Sequence, residues 1–454
     1  MGAFHAYDIR GVYGVDFDST TAYKVGYFIP RLLDTDKVLV GRDCRVSSLE
    51  IRDALVNGLT DAGADVWDLG LCSTPMVYFG TANYGFKASV QITASHNPAE
   101  YNGMKVSREN ALPVGLDSGL GQIQEWIEGG IPTPPAEVRG KVHQMDVIPD
   151  YLEFLSAFKQ DLSGLNIAFD LSNGMSCLLA KKVFGDSPEY INDTLDGSFP
   201  NHDPNPLIPR NVAALKSLVR STKADIGVIY DGDADRVMFV DNEAEFIAPD
   251  LVIALMAEYY VKVRGEKNPR VLQEIRSSKS VAESLQTYGA ELYTWKVGRA
   301  NAATKLREID GIWGGELAGH YYFKDFFYSD SGILASMIVL GIVASLKKEG
   351  KTIAGFMKGI SRYRNSGEIN FKLEDKPGAM DAVKAHFTRN EDPQAVMDFD
   401  GYRVEFKDWW FNIRPSNTEP YLRFICEAVT DDLLKKKIAE TRELLESRFG
   451  AVLS

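Results

Sequence analysis

Four short stretches of this 454-residue chain combine residue types that can do chemistry on an anion. In the first, the apolar, alternating run Ala88 to Ile92 stops in Thr93-Ala94-Ser95-His96, and Asn97-Pro98 turns the chain sharply. Ser95 is thereby displayed at the mouth of a strand, beside residues small enough to let a ligand approach the backbone, and Lys105 returns a cation to the same loop. In the second, Asp231, Asp233 and Asp235 alternate, so that on an extended loop their carboxylates face one side and converge on a hard cation. Three anionic oxygens suit magnesium, which keeps open positions for water or phosphate oxygens. A calcium loop is excluded, because Arg236 stands where its glycine belongs and Asn242 where its glutamate belongs. A solvated acidic turn is the competing reading.

The third stretch, Arg414-Pro415-Ser416-Asn417-Thr418-Glu419-Pro420, assembles an arginine fork, hydroxyls and an amide between two prolines. That inventory makes a phosphate cradle, and equally an ordinary capped turn. In the fourth, Glu316 and His320 offer an acceptor and a switchable donor to a polyhydroxylated ligand, or serve as satisfied structural residues. An early loop, Tyr7 to Gly11, adds Arg10.

The elements that must position these loops follow a pattern traced three times. Val38–Val40 reads as a buried strand, 47–62 as a helix, 64–69 as a second strand, and the strand leading to Ser95 comes last. The second copy opens with the strand 167–170, passes a helical 176–184, and ends in the strand 226–230 before the aspartates. The third opens with 271–276, continues through a helix over 279–288 and a strand over 290–295, and reaches the Glu316 loop. Residue identities hardly repeat, so an accidental succession of βα units stays open beside a true repeat of plan. Helices are also expected over 19–33 and 150–161. The last segment reads as a small α+β cap, with strands over 402–406 and 421–427 and an amphipathic helix over 430–449. Boundaries are placed to give domains 1–145, 146–247, 248–364 and 365–454.

Composition narrows the function. Hydrophobic content of 45% and charged content of 25% describe a globular chain long enough for three or four domains. A formal net charge of −13 argues against nucleic acid or an anionic membrane as partner. The four cysteines lie far apart, the first residues hold no apolar signal core, and no run approaches about 18 uninterrupted apolar residues, so a reducing, cytoplasmic location is expected.

Taken together and in this order, the loops 93–98, 231–236, 315–320 and 414–418 resemble the four signature loops of the α-D-phosphohexomutase family, and the match spans nearly the whole chain. The resemblance implies an α/β fold with three related domains around a central cleft, followed by an α+β domain resembling the TATA-binding-protein fold. It implies that Ser95 carries the phosphoryl group and joins Asp231, Asp233 and Asp235 on magnesium. Arg10, His96, Lys105 and Arg236 match positions around the reacting phosphoryl group, Glu316 the sugar-hydroxyl acceptor, and Arg414, Ser416, Asn417 and Thr418 the holder of the other phosphate. Three departures bear on the sugar: Ala318 replaces a common serine, Arg299 of the Lys296-Val297-Gly298-Arg299 segment replaces a common histidine, and Arg276 replaces a common lysine.

The activity implied is interconversion of hexose 1- and 6-phosphates of glucose or mannose through a phosphoserine and a hexose 1,6-bisphosphate, in a monomer or dimer. Lys296, Arg299 and His320 are expected at the substrate and Arg276 at the catalytic centre. A phosphoglucosamine mutase and a magnesium-dependent sugar phosphatase are the alternatives.

Overall fold

The computed structural model describes residues 2–416 and 420–453. Three of its sheets repeat one strand plan. In the first, Lys37–Arg42 lies parallel between Asp65–Leu71 and Ala88–Ile92, and Tyr101–Arg108 closes antiparallel on the last. In the second, Ile167–Asp170 lies between Glu189–Ile191 and Ile226–Tyr230, with Val237–Asp241 antiparallel. In the third, Arg270–Glu274 lies between Glu291–Trp295 and Trp313–Gly315, with Tyr321–Phe323 antiparallel. Accident does not reproduce one strand order and one reversal three times, so the pattern is a repeat of plan. In each unit the reversal puts a tight connection at the carboxyl end of the third strand. Those connections are the loops carrying Ser95, the three aspartates, and Glu316 with His320.

Helices cover the sheets. Ser19–Leu33 and Ser48–Asp61 pack backbone to backbone: a Cβ on Gly26 would stand 2.2 Å from the Leu55 carbonyl oxygen, and one on Gly58 2.0 Å from that of Tyr23. The helix expected over 176–184 divides into a tight turn, Met175–Leu178, and a short helix, Ala180–Phe184. Ser172 and Asn173 enter it left-handed, and the Met175 amide is drawn to the Gly232 carbonyl at 2.8 Å. The one expected over 150–161 runs from Ile148 to Ser156, where buried Phe158 pulls the chain inward. A further helix, Gly332–Lys348, is buried almost all round and has no polar face for a periodic reading to detect. It lies against the second sheet, inside a continuous core that includes Phe79, Tyr151, Phe169, Tyr230, Trp313 and Leu340.

The last unit is an antiparallel sheet in which Tyr402–Glu405, Trp409–Pro415, Leu422–Ala428 and Ile369–Lys372 are successive neighbours. Lys376–Asn390 and Asp431–Phe449 pack on it through Val383, Phe387, Leu434 and Leu445. No described helix is long and apolar enough to cross a membrane, and the four cysteines are unpaired.

Candidate active site

The three repeated loops are stitched together. Thr74, from the first domain, donates its amide to the Asp233 carbonyl at 3.1 Å and its hydroxyl to Asp233 Oδ2 at 2.5 Å. Val237 donates its amide to the Gly319 carbonyl at 3.2 Å, and Arg236 forms a β-bridge with His320. A Cβ on Gly232 would stand 2.5 Å from the Ser95 carbonyl oxygen, so the serine and aspartate loops touch through backbone. The aspartates converge by a different route from the one their alternation suggested. They occupy a tight turn between Ile226–Tyr230 and Val237–Asp241, closed by Ala234 in the left-handed region at φ 62°, rather than an extended loop.

Ser95 is fully buried, adopts φ 52°, and donates its hydroxyl to Asp231 Oδ2 at 2.8 Å. Candidate ligand oxygens of Asp231, Asp233 and Asp235 lie within 4.8 Å of one another. Lys105 reaches them from a strand, Tyr101–Arg108, and its Nζ sits 2.7 Å from Asp233 Oδ2 and 2.5 Å from Asp235 Oδ2. Burial opposes that ammonium's charge, but the two carboxylates outweigh it and raise the lysine's pKa. Burial, then the charges of Asp233 and Asp235, push the Asp231 carboxyl well above the usual carboxylate range. Asp233 Oδ1 and Asp235 Oδ1 are buried without hydrogen-bond partners among the described residues. Two orphaned carboxylate oxygens and a third strained carboxyl are a donor set that fits a hard divalent cation.

Cations surround the serine. Arg10 bonds Asn97 Oδ1 at 2.9 Å through Nη1 and pairs with Asp8 through Nη2, while its Nε is buried without a partner among the described residues. Arg236 Nε lies 3.7 Å from Asp231 Oδ2. His96 Nδ1 is 3.5 Å from Ser95 Oγ; burial, then Arg236, Arg10 and Lys105, hold that imidazole well below its ordinary pKa.

In the sugar-side loop, Glu316 is buried, accepts the Tyr322 hydroxyl at 2.6 Å, and has its pKa raised by burial. His320 Nδ1 is held by Asp330 Oδ2 at 2.5 Å. The three other basic residues expected here have different fates. Arg299 donates Nε to Asp330 Oδ1 at 3.0 Å and stacks 3.8 Å above the Tyr78 ring, behind His320. Arg276 is clamped by Glu274 at 2.8 Å and by Glu368 at 3.0 Å, which ties the third domain to the fourth. Lys296 is exposed on the segment between them.

Arg414 lies at the end of Trp409–Pro415, buried, with Nε on Asp400 Oδ1 at 3.0 Å and Nη2 without a partner among the described residues. The other oxygen of Asp400 accepts the Val297 amide at 2.9 Å, and the Val297 carbonyl accepts the Tyr7 hydroxyl at 3.0 Å. One carboxylate therefore links the arginine to the third domain, and one residue, Val297, links that to the first. The Ser416 amide bonds the Tyr421 carbonyl at 2.9 Å. Asn417 and Thr418 lie outside the described residues.

Sequence reasoning missed Arg45, Asp330 and Asp400. Arg45 acts on carbonyls 50 to 56 positions along the chain, while Asp330 and Asp400 lie only 10 and 14 positions from His320 and Arg414 in pairings that no motif marks, so the fold reveals all three.

Comparison with known proteins agrees with this arrangement. Four family models match in order: Phosphoglucomutase/phosphomannomutase, alpha/beta/alpha domain I over residues 1–129, domain II over 149–244, domain III over 248–363, and the C-terminal domain over 368–444. A phosphomannomutase of Salmonella typhimurium is 35% identical, with 98% of each chain covered. One from Methanocaldococcus jannaschii is 34% identical, with 97% of each covered. The crystal structure of a phosphoglucomutase/phosphomannomutase family protein from Burkholderia thailandensis superposes with a TM-score of 0.88 at 30% identity, covering 100% of this chain and 99% of that one. The repeated loops around Ser95, the acidic turn they enclose and these full-length matches make the chain a member of the phosphoglucomutase/phosphomannomutase family and a hexose-phosphate mutase.

Proposed function

We propose that the enzyme moves the phosphoryl group of a glucose or mannose phosphate between positions 1 and 6 by way of a phosphoserine at Ser95. The observation that carries this reading is Ser95 Oγ at 2.8 Å from Asp231, with Arg10, Lys105 and Arg236 about it. In the forward half-reaction the bond from phosphorus to Ser95 Oγ breaks, and a bond forms to the free hydroxyl of the sugar monophosphate. The hydroxyl's proton goes to a base. His320 suits that role, because Asp330 holds its Nδ1 and leaves Nε2 to accept. The resulting 1,6-bisphosphate turns over and returns its other phosphoryl group to Ser95, so free bisphosphate also serves as activator.

Ser95, Asp231, Asp233 and Asp235 would hold magnesium, which supplies charge neutralisation on the phosphoryl oxygens. Arg10, Lys105 and Arg236 add the cationic groups, and the strand-end loop fixes the serine in line. Arg414, with Ser416, Asn417 and Thr418, would hold the non-reacting phosphate, and Glu316 the sugar hydroxyls. Arg276 and Arg299 act through the carboxylates that clamp them, whereas the exposed Lys296 would meet substrate. Domain limits near 145, 247 and 364, a reducing cytoplasmic setting and a monomeric or dimeric state complete the proposal; the four sheets and unpaired cysteines support the first two.

The test compares glucose, mannose and glucosamine 1-phosphates, each with its bisphosphate, while free phosphate is followed in parallel. Isomerised glucose or mannose phosphate and phosphate mapped to Ser95 are expected. Release of free phosphate as the main product, or full activity in Ser95→Ala, would refute the reading.

A further inference from the structure

Arg45 is a charged residue with no place in the reaction as described, yet its side chain is wholly buried. A guanidinium has five N–H donors in a rigid planar fork, and here every one is spoken for. Nε meets Asp43 Oδ2 at 3.1 Å. Nη1 donates to the carbonyls of Pro98 at 2.6 Å and Tyr101 at 3.0 Å. Nη2 donates to those of Ser95 at 2.9 Å and Asn97 at 2.7 Å. Asp43 is anchored in turn: its Oδ1 accepts the Arg45 amide at 3.0 Å and the Ser48 hydroxyl at 2.5 Å. The acceptors Ser95, Asn97 and Pro98 belong to the connection that presents the serine, and Tyr101 opens the strand it leads into.

Two consequences follow for Ser95. It is a non-glycine residue held in the left-handed region, a conformation that persists only where its surroundings impose it. Its amide is tied to Thr93 Oγ1 at 2.9 Å and its carbonyl to Arg45, so the turn is fixed at both ends. In addition, four carbonyl oxygens that would repel a phosphate are drawn to the buried side of the loop. The second domain covers the fork: the Phe199 ring lies 5.0 Å from it, and a Cβ on Gly197 would stand 2.6 Å from Arg45 Cα.

We propose that Arg45 is a positioning residue of phosphoryl transfer: through four backbone carbonyls it locks Ser95 in its left-handed turn and clears carbonyl oxygens from the phosphoryl side. The proposal rests on the reading that Ser95 carries the phosphoryl group. It makes Arg45 indifferent to how the sugar's far phosphate is bound, and therefore separates kcat from KM.

The experiment uses the full-length enzyme as Arg45→Lys, Thr93→Val and Ser95→Ala, with magnesium and saturating hexose 1,6-bisphosphate. Lysine keeps a cation beside Asp43 and loses the fork. Arg45→Lys is expected to lower kcat on the order of 100-fold, the scale of a 1 Å misplacement of a reacting group, with KM for the hexose 1-phosphate within about twofold. The phosphoserine, followed by intact mass, should hydrolyse several times faster. Thr93→Val releases the other end of the turn with almost no change of volume, and should shift kcat in the same direction. It decides the question if the lysine variant does not fold. Wild-type kcat in the folded variants, or a raised KM with kcat unchanged, would overturn the role given to Arg45. Full activity in Ser95→Ala would instead overturn the phosphoserine reading on which it stands.

Discussion

Removing Arg414 as alanine should damage substrate retention more than chemistry, and the structure sets the scale. Its side chain is 3% exposed, so a charge-assisted bond to phosphate is little screened by water. Such bonds contribute about 1.5–3 kcal/mol, which at about 1.4 kcal/mol per tenfold is roughly a 10- to 150-fold rise in KM. Asp400→Asn is the companion variant, since it leaves the guanidinium but weakens the bond that aims it. The effect expected is about 1 kcal/mol, or roughly fivefold. Because Asp400 acts through Arg414 and also docks on the Val297 amide, the double variant should be less impaired than the sum of the two. Initial rates at saturating bisphosphate give KM and kcat. A single-turnover experiment, in which phosphorylated enzyme meets hexose 1-phosphate, gives the fraction of labelled bisphosphate that escapes. Wild-type KM and wild-type retention in Arg414→Ala would show that another group holds the far phosphate.

Chelation should abolish activity and added magnesium restore it. Asp233→Asn should also lose most of the thermal stabilisation that magnesium gives the wild type, read as the shift in Tm with and without the ion. His202 bonds the Asp203 carbonyl at 2.8 Å and Asp170 Oδ2 at 3.1 Å, two acceptors that are both satisfied only by the protonated ring. Burial opposes the charge, yet Asp170 and Asp203 raise the pKa. Its contribution is therefore full below the unfolded value near 6.5 and fades as pH rises through the higher folded value. Urea melts should show His202→Gln more destabilising at pH 5.5 than at pH 9; an equal loss at both would refute the charged form. Gly58→Ala should cost about 1–3 kcal/mol by overpacking although alanine favours helix by about 1 kcal/mol, because its Cβ would stand 2.0 Å from the Tyr23 carbonyl oxygen. A raised Tm would show that the two helices separate freely.

Much of this was legible in the chain because strand periodicity and loop chemistry are local properties. Ala88 to Ile92 ending in Thr93-Ala94-Ser95 puts a hydroxyl at the end of a strand, although the fold buries it against Asp231 rather than displaying it, and the three alternating aspartates do bring their carboxylates together, in a tight turn. The fate of the arginines was not local. That Arg276 would meet Glu368 depends on which domains face each other, and that Arg299 would meet Asp330 depends on how the third domain folds back on itself. Arg45 sits in a polar stretch near an aspartate, and nothing in its neighbours tells that its acceptors lie on the far side of two helices and two strands. The helix Gly332–Lys348 was silent for another reason: with apolar residues on every side it has no period to read.

The stitching of the loops changes where the slowest motions of the molecule should be sought. Amides of exposed loops usually exchange with solvent in moments, and those of central strands last longest. Here the Thr74 amide is bonded to the Asp233 carbonyl, the Val237 amide to Gly319, and the Gly332 amide to Ala234, each across a boundary between domains. None of these can open by fraying within one unit. Their deuterium uptake therefore times the parting of whole domains, and an amide at the first residue of a helix or strand becomes the clock for the largest rearrangement the chain can make.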